Sequence, residues 1–308
     1  MPVSPRSRNL GRIRIRGHLA PRMRRGLRGG CLAIVLGLLI SSGSRAAELK
    51  IATWNLNWLT SRQGGLPADV IPRQPEDFER LRSYAMELNA DIVAVQEVDN
   101  AETARRLFPA ESYSIHMGHD RVRQRVGIAV RRGLKYNVNP DVSAIALDPE
   151  QHLRSGVDIT VHLPNGPLRL LAVHLKQGCQ YLVFGSQPQA TCVTLMSQFG
   201  VITEWIGARS AEGAPFLVLG DFNRGMDKVD PFVRKIQQTA PLTRATDGYS
   251  SPCWGHESFI DHILAGGAAR DWVMPNTLRV LTYRETAPEW KERLSDHCPV
   301  SVRLAVPD

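Results

Sequence analysis

The chain has 308 residues, 43% hydrophobic and 22% charged, with 25 Gly and 20 Pro. That is enough apolar material for a sizeable core in one large domain or two small ones, and it excludes a disordered, collagen-like or multispanning membrane protein. The formal charge of +8 invites a nucleic-acid reading, but residues 1–47 hold ten Arg and no acid, and the remainder carries 28 basic against 30 acidic residues, a net of −2. The basic character therefore belongs to the leader.

Residues 1–30 are Arg-rich, and Cys31 to Ile40 is a short apolar run. Small residues follow, with Ser44 and Ala46 at the positions a signal peptidase reads. This charged, apolar, small-residue order predicts a secretory signal over residues 1–47, with Met23 as an alternative start. The apolar run is well short of the ~20 residues that span a bilayer. A single catalytic domain over 48–308 is expected in the periplasm or outside the cell, monomeric and without lasting membrane attachment. Cys31 opens the apolar run instead of following it, which argues against a lipoprotein. Export permits disulfides, and Cys179, Cys192, Cys253 and Cys298 remain after the leader. Four Cys allow three pairings. The short loop between Cys179 and Cys192 favours that bridge, leaving Cys253 with Cys298.

In chain order, Glu48–Asn55 reads as a strand. Phe78, Leu81, Ala85 and Leu88 recur at helical spacing and predict a helix over Pro75–Leu88. Asp91–Glu97 is a short apolar run of the buried-strand type. Strands are expected at Tyr113–Met117, Val126–Arg131, Val157–Leu163 and Leu168–Leu175, then a helix from about Thr191 to Ala208. Phe216–Gly220, Phe259–Leu264 and Cys298–Leu304 complete a domain in which strands outnumber helices.

The informative feature is where the apolar strands end. Glu97 closes Ile-Val-Ala-Val-Gln-Glu, and Asp221 and Asn223 close Phe-Leu-Val-Leu-Gly-Asp-Phe-Asn. Asp261-His262 interrupts Phe-Ile-Asp-His-Ile-Leu, Asp296-His297 precedes Cys-Pro-Val-Ser-Val, and His174 sits in Leu-Leu-Ala-Val-His-Leu. An unpaired carboxylate in an apolar strand costs several kcal/mol, so roughly six such insertions point to a site rather than to packing. Residues two apart in an extended chain share a face, so Asp221 and Asn223 can reach one site, whereas Asp261 and His262 diverge. Carboxylates, amides and imidazoles without a thiolate cluster suit Mg²⁺ or Mn²⁺. Such a site can activate water for attack at phosphorus.

Trp-Asn55, Gln-Glu97, Val-His174-Leu, Gly-Asp221-Phe-Asn223, Ile-Asp261-His and Ser-Asp296-His297, in this order, resemble the endonuclease/exonuclease/phosphatase superfamily of metal-dependent phosphoesterases. The resemblance covers residues 49–306. It implies an α/β fold, a four-layer α/β/β/α sandwich of two mixed sheets flanked by helices, with the site at one edge of the paired sheets. It further implies Glu97 as principal metal ligand, with Asn55 beside it and Asp296 completing the shell. Asp221 and Asn223 would position the attacking water and a phosphate oxygen, and His297 would act at phosphorus, held by Asp261. His174 would be a second imidazole, either a phosphate contact or a proton donor to the leaving oxygen. Asn57 stands where some relatives carry a second acid, which leaves one or two ions open. Gln124 stands near where some nucleases place an acid that pairs with the second imidazole.

The expected activity is that of an exported phosphodiesterase, an endonuclease acting on nucleic acid. The rivals are a sphingomyelinase-like phospholipid phosphodiesterase, a phosphomonoesterase acting on a small phosphorylated metabolite, and a non-enzymatic toxin-accessory or binding protein. Arg154, Tyr181 and Phe184 are the candidates for substrate contact, the last two in a loop that a Cys179–Cys192 bridge would staple beside His174. His262 is expected to pack or to support the site from behind. The Arg121, Arg123 and Arg125 run reads as a solvated strand edge.

Overall fold

A computed structural model describes residues 47–147, 152–181, 189–227, 229–255 and 258–307. Residues 1–46 of the expected leader and Phe184 lie outside them. The strands are β1 (Ala47–Leu59), β2 (Ile92–Val98), β3 (Tyr113–Met117), β4 (Arg125–Arg131), β5 (Lys135–Val138), β6 (Val157–Leu163), β7 (Gly166–His174), β8 (Phe216–Asp221), β9 (Leu242–Arg244), β10 (Asp261–Gly266), β11 (Arg279–Val280) and β12 (Val300–Val306). The helices are α1 (Pro75–Leu88), α2 (Ala101–Arg105), α3 (Ala190–Ala211), α4 (Pro231–Thr239) and α5 (Trp290–Arg293).

Two six-stranded mixed sheets form, in the orders β11-β12-β1-β2-β4-β3 and β5-β6-β7-β8-β10-β9. Each has one parallel pair near its centre, β1 with β2 and β7 with β8, and is otherwise antiparallel. The central strands are apolar on both faces, because successive side chains point to opposite sides. Ile51, Ile92, Ala94, Ile128, Ile159, Leu170, Ala172, Leu217, Leu219 and Ile263 form the core between the sheets. Their neighbours Ala52, Trp54, Val93 and Val95 pack with Phe78, Leu81, Tyr84 and Leu88 of α1. On the opposite outer face Leu171, Val173 and Val218 pack with Leu195, Phe199, Ile202 and Ile206 of α3 and Phe232 and Ile236 of α4. The result is the expected α/β/β/α sandwich.

Local chemistry sets the element ends. Pro75 opens α1, the Gln74 backbone N–H donates to Asp77 Oδ2 over 2.9 Å, and Asn89 closes the helix at φ 43°. β12 starts at Val300, two residues after the expected Cys298, since Pro299 has no N–H for a ladder. β1 extends to Leu59, past its expected end at Asn55. Helix α4 was absent from the sequence reading, although Asp230-Pro231 marks its start: the Asp230 side chain accepts from the Phe232 and Val233 N–H groups. Cys179 is bridged to Cys192 and Cys253 to Cys298. Among the described residues no helix is long and apolar enough to cross a membrane.

Candidate active site

The parity that puts Leu217 and Leu219 between the sheets also carries Asp221. The same count brings Asn55 after Ile51, His174 after Leu170 and Ala172, and Asp261 before Ile263. The site thus continues the inter-sheet core, with polar side chains replacing apolar ones at the C-terminal ends of the two parallel pairs. There His174 is registered with Asp221 on β8, and Asp221 with Asp261 on β10. Gly220 makes this approach possible: at φ 149°, a Cβ there would sit 1.9 Å from the Val173 carbonyl oxygen.

Glu97 breaks the alternation. Its backbone is left-handed at φ 59°, and both β2 ladders shift register next to it. Left-handed backbone at Asn57, Trp58 and Asn223 accompanies it, a concentration of strain of the kind found at functional sites. Asn223 joins Asp221 by a different route from the expected extended strand. β8 ends at Asp221, the chain turns, and Asn223 N–H donates to Asp221 Oδ1 over 2.7 Å while its amide reaches Asp221 Oδ2 at 3.1 Å and the Leu175 carbonyl at 3.0 Å.

Asn55 lies between the two sheets' acids, donating to Glu97 Oε1 over 3.2 Å and to Asp221 Oδ2 over 3.0 Å. His297 Nδ1 donates to Asp261 Oδ2 over 2.7 Å, and its Nε2 lies 3.8 Å from Asp221 Oδ2 and 3.9 Å from Asp296 Oδ1. His174 Nε2 stands 3.5 Å from Asp221 Oδ2 and 3.7 Å from Glu97 Oε1. Its Nδ1 is buried without a partner. Gln124 donates to Glu97 Oε2 and accepts from Arg154 Nη2 at 3.4 Å, so it serves the acid and the arginine rather than His174.

Burial by itself depresses the His297 imidazole, but Asp261 and Asp221 hold it well above its ordinary value. His174 goes the other way: burial, then the positive charges of Arg154 and His297, hold it well below. Burial pushes the Asp221 carboxyl up to about 7, with His297 pulling against it and Asp261 adding to the rise.

Glu97, His174, Asp221, Asn223, Asp296, His297 and Arg154 line one cavity of about 420 Å³, together with Gln124 and Lys176. A second cavity of about 250 Å³, which shares Asp296 and His297 with the first, is lined by Trp254, Phe259, Asp261 and Lys291 among others. Tyr181 lines neither. It is placed against Gly225 in a third cavity with Met226 and Arg244. His262 points away from Asp261, with Nδ1 2.6 Å from Thr246 Oγ1 and Nε2 2.9 Å from the Arg224 carbonyl.

Four carboxylates, Glu97, Asp221, Asp261 and Asp296, gather here beside the imidazoles of His174 and His297, the Arg154 guanidinium and the Lys176 ammonium, and Asp69 and His152 also line the cavity. Asp261 Oδ1 is buried without a partner. Converging carboxylate oxygen donors fit a hard divalent cation. Asp221, Asp261 and His297 offer ligand atoms within 4.8 Å of one another. Asn55 turns its N–H toward the acids and its Oδ1 accepts from the Asn57 N–H at 2.9 Å, so ligation through Asn55 requires its amide to turn over.

Several positioning residues are invisible to sequence reasoning. Arg73 is buried and donates to the carbonyls of Leu56, Asn57, Trp58 and Leu294, fixing the turn after Asn55. Ser295 Oγ donates to the Asn55 carbonyl over 2.8 Å and accepts from the His297 N–H at 3.0 Å. The Tyr283 hydroxyl accepts from Trp54 Nε1 and donates to the His297 carbonyl. Nothing in the motifs marks Arg73 or Tyr283. Ser295 was visible only as the first residue of Ser-Asp-His.

Paired mixed sheets between helices, with acids and imidazoles converging where the strands end, define the phosphoesterase sandwich as the class. The chain belongs to the Endonuclease/Exonuclease/phosphatase family, whose sequence pattern matches residues 52–297. No curated protein matches the chain in sequence. Among solved structures it is similar to D. rerio TDP2 complexed with a single-strand DNA product, at 17% identity and TM-score 0.58 over 83% of this chain and 98% of that one. The 3′ phosphatase NExo from Neisseria, bound to a product DNA hairpin, is similar at 17% identity and TM-score 0.56, over 83% and 99%. The human Nocturnin catalytic domain with bound sulfate matches at 13% identity and TM-score 0.54, over 83% and 93%.

Proposed function

We propose that the protein is an exported, divalent-metal-dependent phosphodiesterase that cleaves nucleic acid. The observation that carries this reading is the convergence of Glu97, Asp221, Asn223, His174, Asp296 and His297 on one cavity, with Asn55 hydrogen-bonded to Glu97 and Asp221 and with Asp261 to His297. The second cavity, which shares Asp296 and His297 with the first, supports a diester, because a chain cleaved internally needs room on both sides of the phosphorus. Two structural neighbours carry DNA products by their own descriptions, which supports a nucleic-acid substrate. The two disulfides are compatible with export.

Glu97 and Asp296 would hold Mg²⁺ or Mn²⁺, with Asn55 after its amide turns. The bound cation supplies Lewis-acid stabilisation of charge on the phosphoryl oxygens. Asp221, steadied by Asn223, orients water and takes its proton as the new P–O bond forms in line. The P–O bond to the leaving oxygen breaks with its electron pair kept on that oxygen, which takes a proton from solvent, while His297, kept protonated by Asp261, offsets charge on the phosphoryl group. His174 has no carboxylate on Nδ1 and is held neutral, so of its two expected roles the phosphate contact is favoured. Arg154 and Lys176 supply fixed positive charge in the cavity.

A phosphomonoesterase is the second reading, favoured by Arg154: a buried guanidinium in the cavity wall whose Nε has no partner and which has no carboxylate pair among the described residues. Parallel assays on plasmid DNA, sphingomyelin and a 3′-phosphorylated oligonucleotide, with Mg²⁺ or Mn²⁺ and with EDTA, separate these readings. Plasmid nicking that EDTA abolishes is the expected result. Release of inorganic phosphate alone moves the assignment to the monoesterase, and turnover of the lipid alone to the phospholipase.

A further inference from the structure

A second group of ligating side chains lies away from the catalytic cavity, whose lining includes none of them. His116 is on β3, the edge of one sheet, and His119 follows two residues after that strand. Asp141 follows β5, the edge of the other sheet, three residues after its end. One ligand atom from each of the three falls within 4.8 Å of the others. The His119 main-chain N–H and Nδ1 both approach Asp141 Oδ2, at 2.9 and 2.8 Å. The His116 and His119 rings are 5.6 Å apart between centroids.

The group is unfinished as a hydrogen-bonded cluster. His116 Nε2 and Asp141 Oδ1 are both shielded from solvent with no partner. Shielded polar atoms without partners are destabilising, and native structures leave few of them. His119 is exposed, giving an entry path from solvent.

We infer that His116, His119 and Asp141 form a metal site for a Zn²⁺-class cation, clamping the edge strands of the two sheets together. Two imidazoles and one carboxylate make a three-ligand set with a fourth position for water. Tetrahedral bonds of about 2.0–2.1 Å place ligand atoms roughly 3.3 Å apart; here His119 Nδ1 and Asp141 Oδ2 are 2.8 Å apart and all three ligand atoms lie within 4.8 Å of one another. Imidazole ligands favour Zn²⁺ over Mg²⁺, whereas the carboxylate-rich catalytic cavity has the reverse preference.

The test is a calorimetric titration of Zn²⁺, in excess Mg²⁺, into the purified protein and its His119→Gln and Asp141→Asn variants, with bound zinc counted by mass spectrometry. Both variants are expected to bind one Zn²⁺ per chain fewer than the wild type, and to lose part of the zinc-dependent rise in Tm. His119 is exposed, so His119→Gln leaves the fold intact, as far-UV circular dichroism will verify. Wild-type stoichiometry in both variants overturns the site. Loss in Asp141→Asn alone also overturns it, because the zinc would then depend on the loop's conformation and not on ligation by His119.

Discussion

His297 and His174 face one cavity from two sheets, each with a disulfide close by in the chain, yet their charge states are opposed. His297 follows Asp296 and precedes the bridged Cys298, and Asp261 accepts a hydrogen bond from its Nδ1 at 2.7 Å. His174 lies five residues before the bridged Cys179, and nothing accepts at its Nδ1. The difference arises from what stands behind each ring. A carboxylate on the far nitrogen holds one imidazole charged and oriented. Burial beside Arg154 keeps the other neutral. Under the proposed function the two histidines are thus suited to different tasks, one offsetting charge at phosphorus and the other making a neutral contact.

The largest effect is expected on the His297 side. His297→Ala and Asp221→Ala should each lower kcat roughly 10³-fold, within the range for removing acid–base groups, while circular dichroism shows a retained fold. Removing the bridges sharpens the comparison in stability. Cys253 and Cys298 are 45 residues apart and Cys179 and Cys192 are 13 apart. Chain-entropy reasoning gives losses of roughly 4 and roughly 3 kcal/mol for the paired Ser variants in urea unfolding.

A third imidazole is the control. His262 is buried neutral, with its pKa lowered from 6.5 to about 3, chiefly by burial. Below 6.5 the unfolded chain binds a proton that the folded chain refuses, so stability falls as pH drops from about 6.5 toward about 3. The limiting slope is about 1.4 kcal/mol per pH unit, or about 2 kcal/mol by pH 5. His262→Gln should be less sensitive by that amount when urea unfolding is compared at pH 7 and pH 5. The smallest effect belongs to His174→Gln, which keeps a neutral donor and should cost about tenfold in kcat/KM. A loss as large as that of His297→Ala would make His174 a titrating proton donor and erase the distinction.

The strands that build the sheets were legible because buried strands are continuous apolar runs, and their polar ends stood out against that background. Asp221, Glu97, Asp261 and His297 were visible for this reason. The chain between them was not. Glu97 reaches the cavity by a left-handed residue at a register shift, and Asn223 by a turn. Both depend on tertiary constraint that no local pattern encodes. Arg73 holds four carbonyls that come together only after folding. The short edge strands β5, β9 and β11 carry too few residues for a period to be read. Gln124 was noticed as a missing acid, and its contact with Glu97 and Arg154 emerges only from the folded chain.

The most direct test of the account is the rate of bis-p-nitrophenyl phosphate hydrolysis by the protein from about residue 47, in Mg²⁺ and in EDTA, beside His297→Ala. Turnover that requires the cation and disappears in the variant is the predicted result. Turnover that persists in EDTA, or survives in His297→Ala, would contradict the assignment of this cavity as a metal-assisted phosphoesterase centre.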